Sequence, residues 1–161
     1  MASNYNSFHT NPINKLIHIF CIPLIMISVL NFTSIFKINT DKQNKYKYKL
    51  GTKQVLNFTT CHGDLMLLIF FSCYYFLYSI KTGIIMSAFL TFMYKLGHIW
   101  RSYDVYWKKN TIIVFISAWI FQFIGHFIEG NKPALFTGLK MSVFQAPLYT
   151  VQSLLGFSIN E

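Results

Sequence analysis

Five stretches of the chain are dominated by apolar side chains, and short polar segments separate them. The first opens at Asn11-Pro12, a capping residue followed by proline at the first helical position. It runs almost without interruption over 12–36, with Pro23 as an internal kink. A Lys-rich loop over 37–53 follows, then apolar stretches over 62–80, 84–100, 111–129 and 141–157. Lys81-Thr-Gly83 reads as a tight turn, Arg101 to Asn110 as a polar loop, and Gly130-Asn-Lys-Pro133 as a helix break. A helix needs about 20 apolar residues to cross a bilayer. The pattern therefore predicts an all-α fold, an integral membrane bundle of four to five apolar helices, with residues 1–161 forming one domain. The last stretch is short and carries Gln145, Pro147 and Gln152, so it spans, lies at the interface or re-enters. No internal repeat is evident.

The polar exceptions inside these stretches carry more information than the stretches themselves. Gln122, His126 and Glu129 follow i, i+4, i+7 within the fourth run and so share one helical face. An imidazole and a carboxylate at hydrocarbon depth are costly, and usually line a site or pair with something. Four successive spans would put the start of the first and the end of the fourth on the same membrane face. His9 and His18 then accompany His126 and Glu129, while His62 and His98 fall on the opposite face. His9 and His18 are nine positions apart, about 180° around a helix. The Asn11-Pro12 start lets His9 precede the helix and fold back over its end. Asn11, Asn14 and His18 follow i, i+3, i+7 and form a second polar stripe.

Composition supports the membrane reading. The chain is 53% hydrophobic and only 12% charged, against about 25% charged in soluble domains. Its formal charge of +9 is concentrated in the 37–53 loop, as expected of a cytoplasmic segment or one facing anionic headgroups. By parity, a cytoplasmic loop there puts the histidine face on the other side. No nucleic-acid-binding signature accompanies the charge. Cys21, Cys61 and Cys73 form no CxxC pair, which argues against a disulfide framework or zinc ribbon.

Two facing polar stripes on bundle helices suit an iron or zinc site, with Asn, Gln or carboxylate groups orienting the rings. The competing reading is a non-enzymatic membrane scaffold or lipid-binding protein whose stripes are helix–helix contacts. A transporter would want polar residues running through the membrane rather than grouped on one face. The HxxxH and HxxHH boxes of membrane hydroxylases and desaturases are absent. Lys132 is a solvated flank, or a cation steering an anionic substrate.

Two separated blocks carry a family resemblance. Phe8-His-Thr-Asn-Pro-Ile-Asn-Lys-Leu-Ile-His18, followed by Pro23, is one; the other is Trp119-Ile-Phe-Gln-Phe-Ile-Gly-His126, then Glu129 and Lys132-Pro-Ala-Leu135, continuing to Ala146-Pro147. In order and content they resemble the fungal 2-hydroxy fatty-acid dioxygenases, multi-pass proteins of the endoplasmic reticulum membrane that act in α-oxidation. The resemblance implies an Fe(2+)-dependent enzyme that uses O2 to shorten a 2-hydroxy long-chain fatty acid by one carbon. It places His9, His18 and His126 on the family's motif histidines as metal ligands, and Glu129 near its acidic position. Asn11, Asn14, Gln122 and Lys132 are then supporting residues. The middle of the chain carries no match, and nothing transfers to His62 or His98.

Overall fold

The computed structural model describes residues 11–39, 60–130 and 141–156. His9, Lys132 and most of the Lys-rich loop lie outside the described residues.

Helix α1, Pro12–Thr33, begins where its sequence dictates. The Asn11 side chain accepts from the Ile13 amide at 2.8 Å, satisfying one of the donors that a helix start leaves open. Pro23 lies inside α1 without ending it. The helix stops three residues short of the expected Phe36, in a stretch where hydroxyls compete for backbone carbonyls. Thr33 donates to the carbonyls of Val29 and Leu30, and Ser34 to that of Asn31. The chain then enters a short antiparallel ribbon, β1 (Lys37–Asn39) against β2 (Thr60–His62), with Lys37 opposite His62. This ribbon ties the end of α1 to the start of the next helix, the Gly63 amide donating to the Phe36 carbonyl at 2.9 Å.

Helix α2, Gly63–Phe76, has 14 residues, about 21 Å at the helical rise, shorter than a bilayer core of about 30 Å. The expected span over 62–80 therefore ends four residues early, at Phe76. The turn falls at Leu77–Ser79 rather than at Lys81–Gly83, which instead form the first turn of α3, Ile80–Tyr103. Ser79 supplies the reason, since its hydroxyl accepts from the Thr82 amide at 3.0 Å and caps the new helix. Gly83 serves close approach instead of a turn, since a Cβ there would run into the Phe76 ring.

The expected polar loop over Arg101–Asn110 shrinks to Asp104–Tyr106, and α4 runs Trp107–Glu129. Asp104 organises this connection by accepting from Trp100 Nε1, Asn110 Nδ2 and the Tyr106 amide, each at 2.8 Å. These bonds, with Asn110 and Trp100 foremost, hold its carboxyl below the ordinary carboxylate range. After the 130s, a π-helical turn (Met141–Gln145) leads into α5, Ala146–Leu155.

Helix α1 is the centre of the bundle and contacts every other α-helix. It pairs antiparallel with α4, the Asn14 level meeting Glu129 and the Asn31 level meeting Thr111. Three apolar clusters fill the interior. Tyr75, Met86, Leu90, Leu148 and Val151 join α2, α3 and α5; Ile22, Ala146 and Tyr149 join α1 and α5; Ile27, Leu30 and Met93 join α1 and α3. Seven consecutive residues of α5, Ala146 to Gln152, are buried, so the first two turns of this helix are enclosed on every side, while Leu154 and Leu155 at its end are exposed. Its 10 residues are too few to cross a bilayer.

The outer faces of α1 and α4 are apolar and exposed, with Leu16, Phe20, Ile116, Ile120, Phe123 and Phe127 among them. Among the described residues, α1 and α4 are the helices long and apolar enough to cross a membrane. Helix α3 is long enough, but Lys81, Lys95 and Arg101 lower its apolar character. Two such helices with oily outer faces suggest membrane association.

Candidate functional site

Asn11, Asn14 and His18 on α1 and Gln122, His126 and Glu129 on α4 meet at one end of the bundle. The antiparallel pairing of α1 with α4 sets the two stripes level. His18 is 1% and His126 4% exposed, and their ring centres lie 4.9 Å apart, edge to face. His18 Nδ1 sits 2.9 Å from the Asn14 carbonyl oxygen. A carbonyl can only accept, so Nδ1 carries the proton and Nε2 is the ring's acceptor nitrogen.

Glu129 joins the two helices. Its carboxylate accepts from the Asn11 amide at 3.1 Å and from Asn14 Nδ2. The same asparagine thus holds Glu129 with its side chain and aligns His18 with its backbone. This arrangement requires Gly125, where a Cβ would collide with Asn14 Oδ1. The position also lets α1 and α4 approach closely, as small residues do at helix crossings.

Among the described residues at this end, three amide side chains have an atom without a protein partner. Gln122, 8% exposed, has an Nε2 that donates to no acceptor, and Asn14 Oδ1 accepts from no donor. Tyr149 on α5 is buried and within electrostatic reach of Glu129. Gln152, one turn further along, is buried and also offers an undirected amide nitrogen.

The opposite end holds a second polar cluster that the hydropathy pattern does not reveal. Arg101 Nη2 meets Asp64 Oδ2 at 2.7 Å, and Arg101 Nη1 donates to Asn31 Oδ1 at 2.8 Å. Asn31 Nδ2 donates to Thr111 Oγ1 at 3.2 Å, and Asp64 Oδ1 accepts from the Leu65 amide at 2.9 Å. Arg101 is therefore no loop residue, and its partner starts the helix before it. One signal was available: opposite charges at the start of one apolar stretch and the end of the next fall on the same face. His62 caps this end of α2 without a side-chain hydrogen bond to it, and His98 lies one turn before Arg101. Both are thus well away from the His18–His126 pair.

Among the described residues, no three His, Cys, Asp or Glu side chains come close enough together to hold a metal ion. The structure brings together two of the three histidines expected as ligands, and the third, His9, is not among the described residues.

The fold and site define a helical protein with an oily exterior and one buried histidine pair at the α1–α4 seam. A family model described as 2-hydroxy-palmitic acid dioxygenase Mpo1-like matches residues 1–158, and the chain belongs to the Mpo1-like family. It is similar to the 2-hydroxy-palmitic acid dioxygenase MPO1 of Saccharomyces cerevisiae, with 29% identity over 146 residues, 90% of this chain and 72% of that protein. No solved structure matches.

Proposed function

We propose that the protein is an Fe(2+)-dependent dioxygenase that shortens 2-hydroxy long-chain fatty acids by one carbon, in α-oxidation. The observation that carries the reading is the His18–His126 pair, supported by membership of a family named for this activity. The donor set fits a metal. Imidazole nitrogens suit iron, and a backbone carbonyl on Nδ1 is the usual device that turns Nε2 toward an ion. The ring centres stand 4.9 Å apart, so both imidazoles would be within reach of one ion. His18 and His126 would hold the iron, with His9 as the expected third ligand. When bound, the metal supplies activation of O2 and a chelation point for the substrate's carboxylate and 2-hydroxyl.

The chain's own residues supply position and environment. Asn14 aligns His18 and, through Glu129, fixes the spacing of α1 and α4 at the site. Glu129 in this reading acts as a bracket on the asparagines, and its carboxylate stands one turn from His126. The acyl tail lies along the apolar helices, reached directly from the membrane. The enzyme is taken to be a multi-pass protein of the endoplasmic reticulum membrane, with O2 and a membrane-partitioned fatty acid as substrates.

The test is direct. Detergent-purified, iron-loaded protein is incubated with 2-hydroxy fatty acids of several lengths, and the one-carbon-shorter acid is sought. It should form with wild-type protein and vanish, together with bound iron, in a His18→Ala/His126→Ala variant. Equal product and iron in that variant would sink the proposal.

A further inference from the structure

Among the described residues, Gln122 is a buried polar group on the His126 face that the site leaves unused. It lies on the His126 face of α4, one helical turn deeper than that histidine. The side chain is 8% exposed and its amide nitrogen donates to nothing. A buried donor without an acceptor is costly and uncommon in a native fold. Of the acceptors at this end, the Asn14 carbonyl faces His18 and the Glu129 carboxylate faces Asn11 and Asn14, while Asn14 Oδ1 stays open and does not take the Gln122 amide. Among the described residues at this end, the cations Lys15 and Lys81 are exposed. An acidic ligand entering the seam would thus meet neutral donors and not a buried ammonium.

Resting on the function proposed above, we infer that Gln122 is a substrate-binding residue that reads the 2-hydroxy acid head group. Its NH2 donates to the carboxylate, and its amide oxygen accepts from the 2-hydroxyl. One primary amide thereby matches both halves of an α-hydroxy acid, donor to acceptor and acceptor to donor. An acid without the hydroxyl leaves half of the amide unmatched, which gives the site a reason to discriminate. A neutral amide also binds the carboxylate without adding a second buried charge in hydrocarbon. Its place one turn from His126 holds the C1–C2 bond beside the histidine pair.

The test uses the full chain in detergent or nanodiscs with Gln122→Leu and, as an unbranched replacement of similar length, Gln122→Met. Binding of 2-hydroxyhexadecanoic and hexadecanoic acid is followed by tryptophan fluorescence, alongside KM, kcat, iron content and melting temperature. Losing a hydrogen bond to a charged group should raise KM and Kd for the 2-hydroxy acid roughly tenfold. The fall in kcat should be smaller, iron content should be unchanged, and the preference over the plain acid should shrink. The ligand-free variants should melt no lower than wild type, since an unmatched donor has been removed. Unchanged Kd and KM in a folded variant would overturn the inference alone. So would loss of iron, which would make Gln122 part of the metal site, or a lowered melting temperature with equal losses in KM and kcat, which would mark a structural role. A wild-type protein that neither binds nor shortens the 2-hydroxy acid would overturn the proposed function, and this inference with it.

Discussion

At the Asn31 end of the bundle, Asp64 and Arg101 meet at 2.7 Å, and Asn31 and Thr111 complete the set of partners. At the Asn14 end, two imidazoles face each other, one carboxylate brackets two asparagines, and, among the described residues, the amides of Asn14, Gln122 and Gln152 each have an atom without a partner. Burial is similar at both ends. Closure of the hydrogen-bond network is what differs. A closed buried network holds helices in one arrangement, whereas amide atoms left without a partner among the described residues can take a ligand. The first end acts as a fastener between helices; the second, in the function proposed above, is the place for the ligand.

Cutting the fastener should have the largest effect. Asp64→Ala strands the Arg101 guanidinium in the interior, and stability should fall by about 3–5 kcal/mol, read by thermal or denaturant unfolding in detergent. Replacing both partners, as in Asp64→Leu with Arg101→Met, should recover most of that loss. If the single and double variants unfold alike, the two ends do not differ in the way described.

His126→Gln should do the reverse. Activity and bound iron should fall by at least about a hundredfold, while the melting temperature stays near that of wild type. A collapse of the fold would show that the histidine pair is a second fastener. Gly125→Ala probes the seam between the two functions. Its new methyl group must displace Asn14, so a stability loss of about 1–3 kcal/mol is expected, with a drop in activity as His18 loses its alignment. An unchanged activity would separate Asn14 from the site.

The smallest effect is expected outside both ends, at Asp104. Its carboxyl is held below the ordinary range in the folded protein, first by Asn110 and then by Trp100. The stabilisation is therefore fully present above the unfolded carboxylate pKa of about 3.9. It is lost as pH falls through the lower folded value. Protection of the 104–110 amides against exchange, relative to the intrinsic rate at the same pH, should fall in acid below about pH 4, and Asp104→Asn should show no such acid step.

The stripes were legible in the sequence because a helix repeats geometrically. Gln122, His126 and Glu129 could share a face on α4 only in one way, and helix parity then brought His18 to them. The Asp64–Arg101 pair was only half legible: parity puts the two charges on one face, but each stands at the edge of an apolar stretch and reads as a solvated flank. Burial of such residues depends on how neighbouring helices and the β1–β2 ribbon close over them, which no local pattern records. Gly83 misled for a related reason: glycine punctuates turns, but here it admits the Phe76 ring, and Ser79 makes the turn. The histidine face was identifiable in the sequence; that Gln122 stays unpartnered within it was not.

Helix α5 has a bearing on how the molecule is made. It follows the four longer helices in the chain, yet Ala146 to Gln152 are covered on every side. A ribosome therefore delivers the innermost piece after the walls. Until then, the growing bundle carries an open slot beside Ile22 and Leu90. That interval, in which an unfinished protein shows its interior to lipid or to a chaperone, is when substitutions facing α5 would do their damage, before any substrate is met.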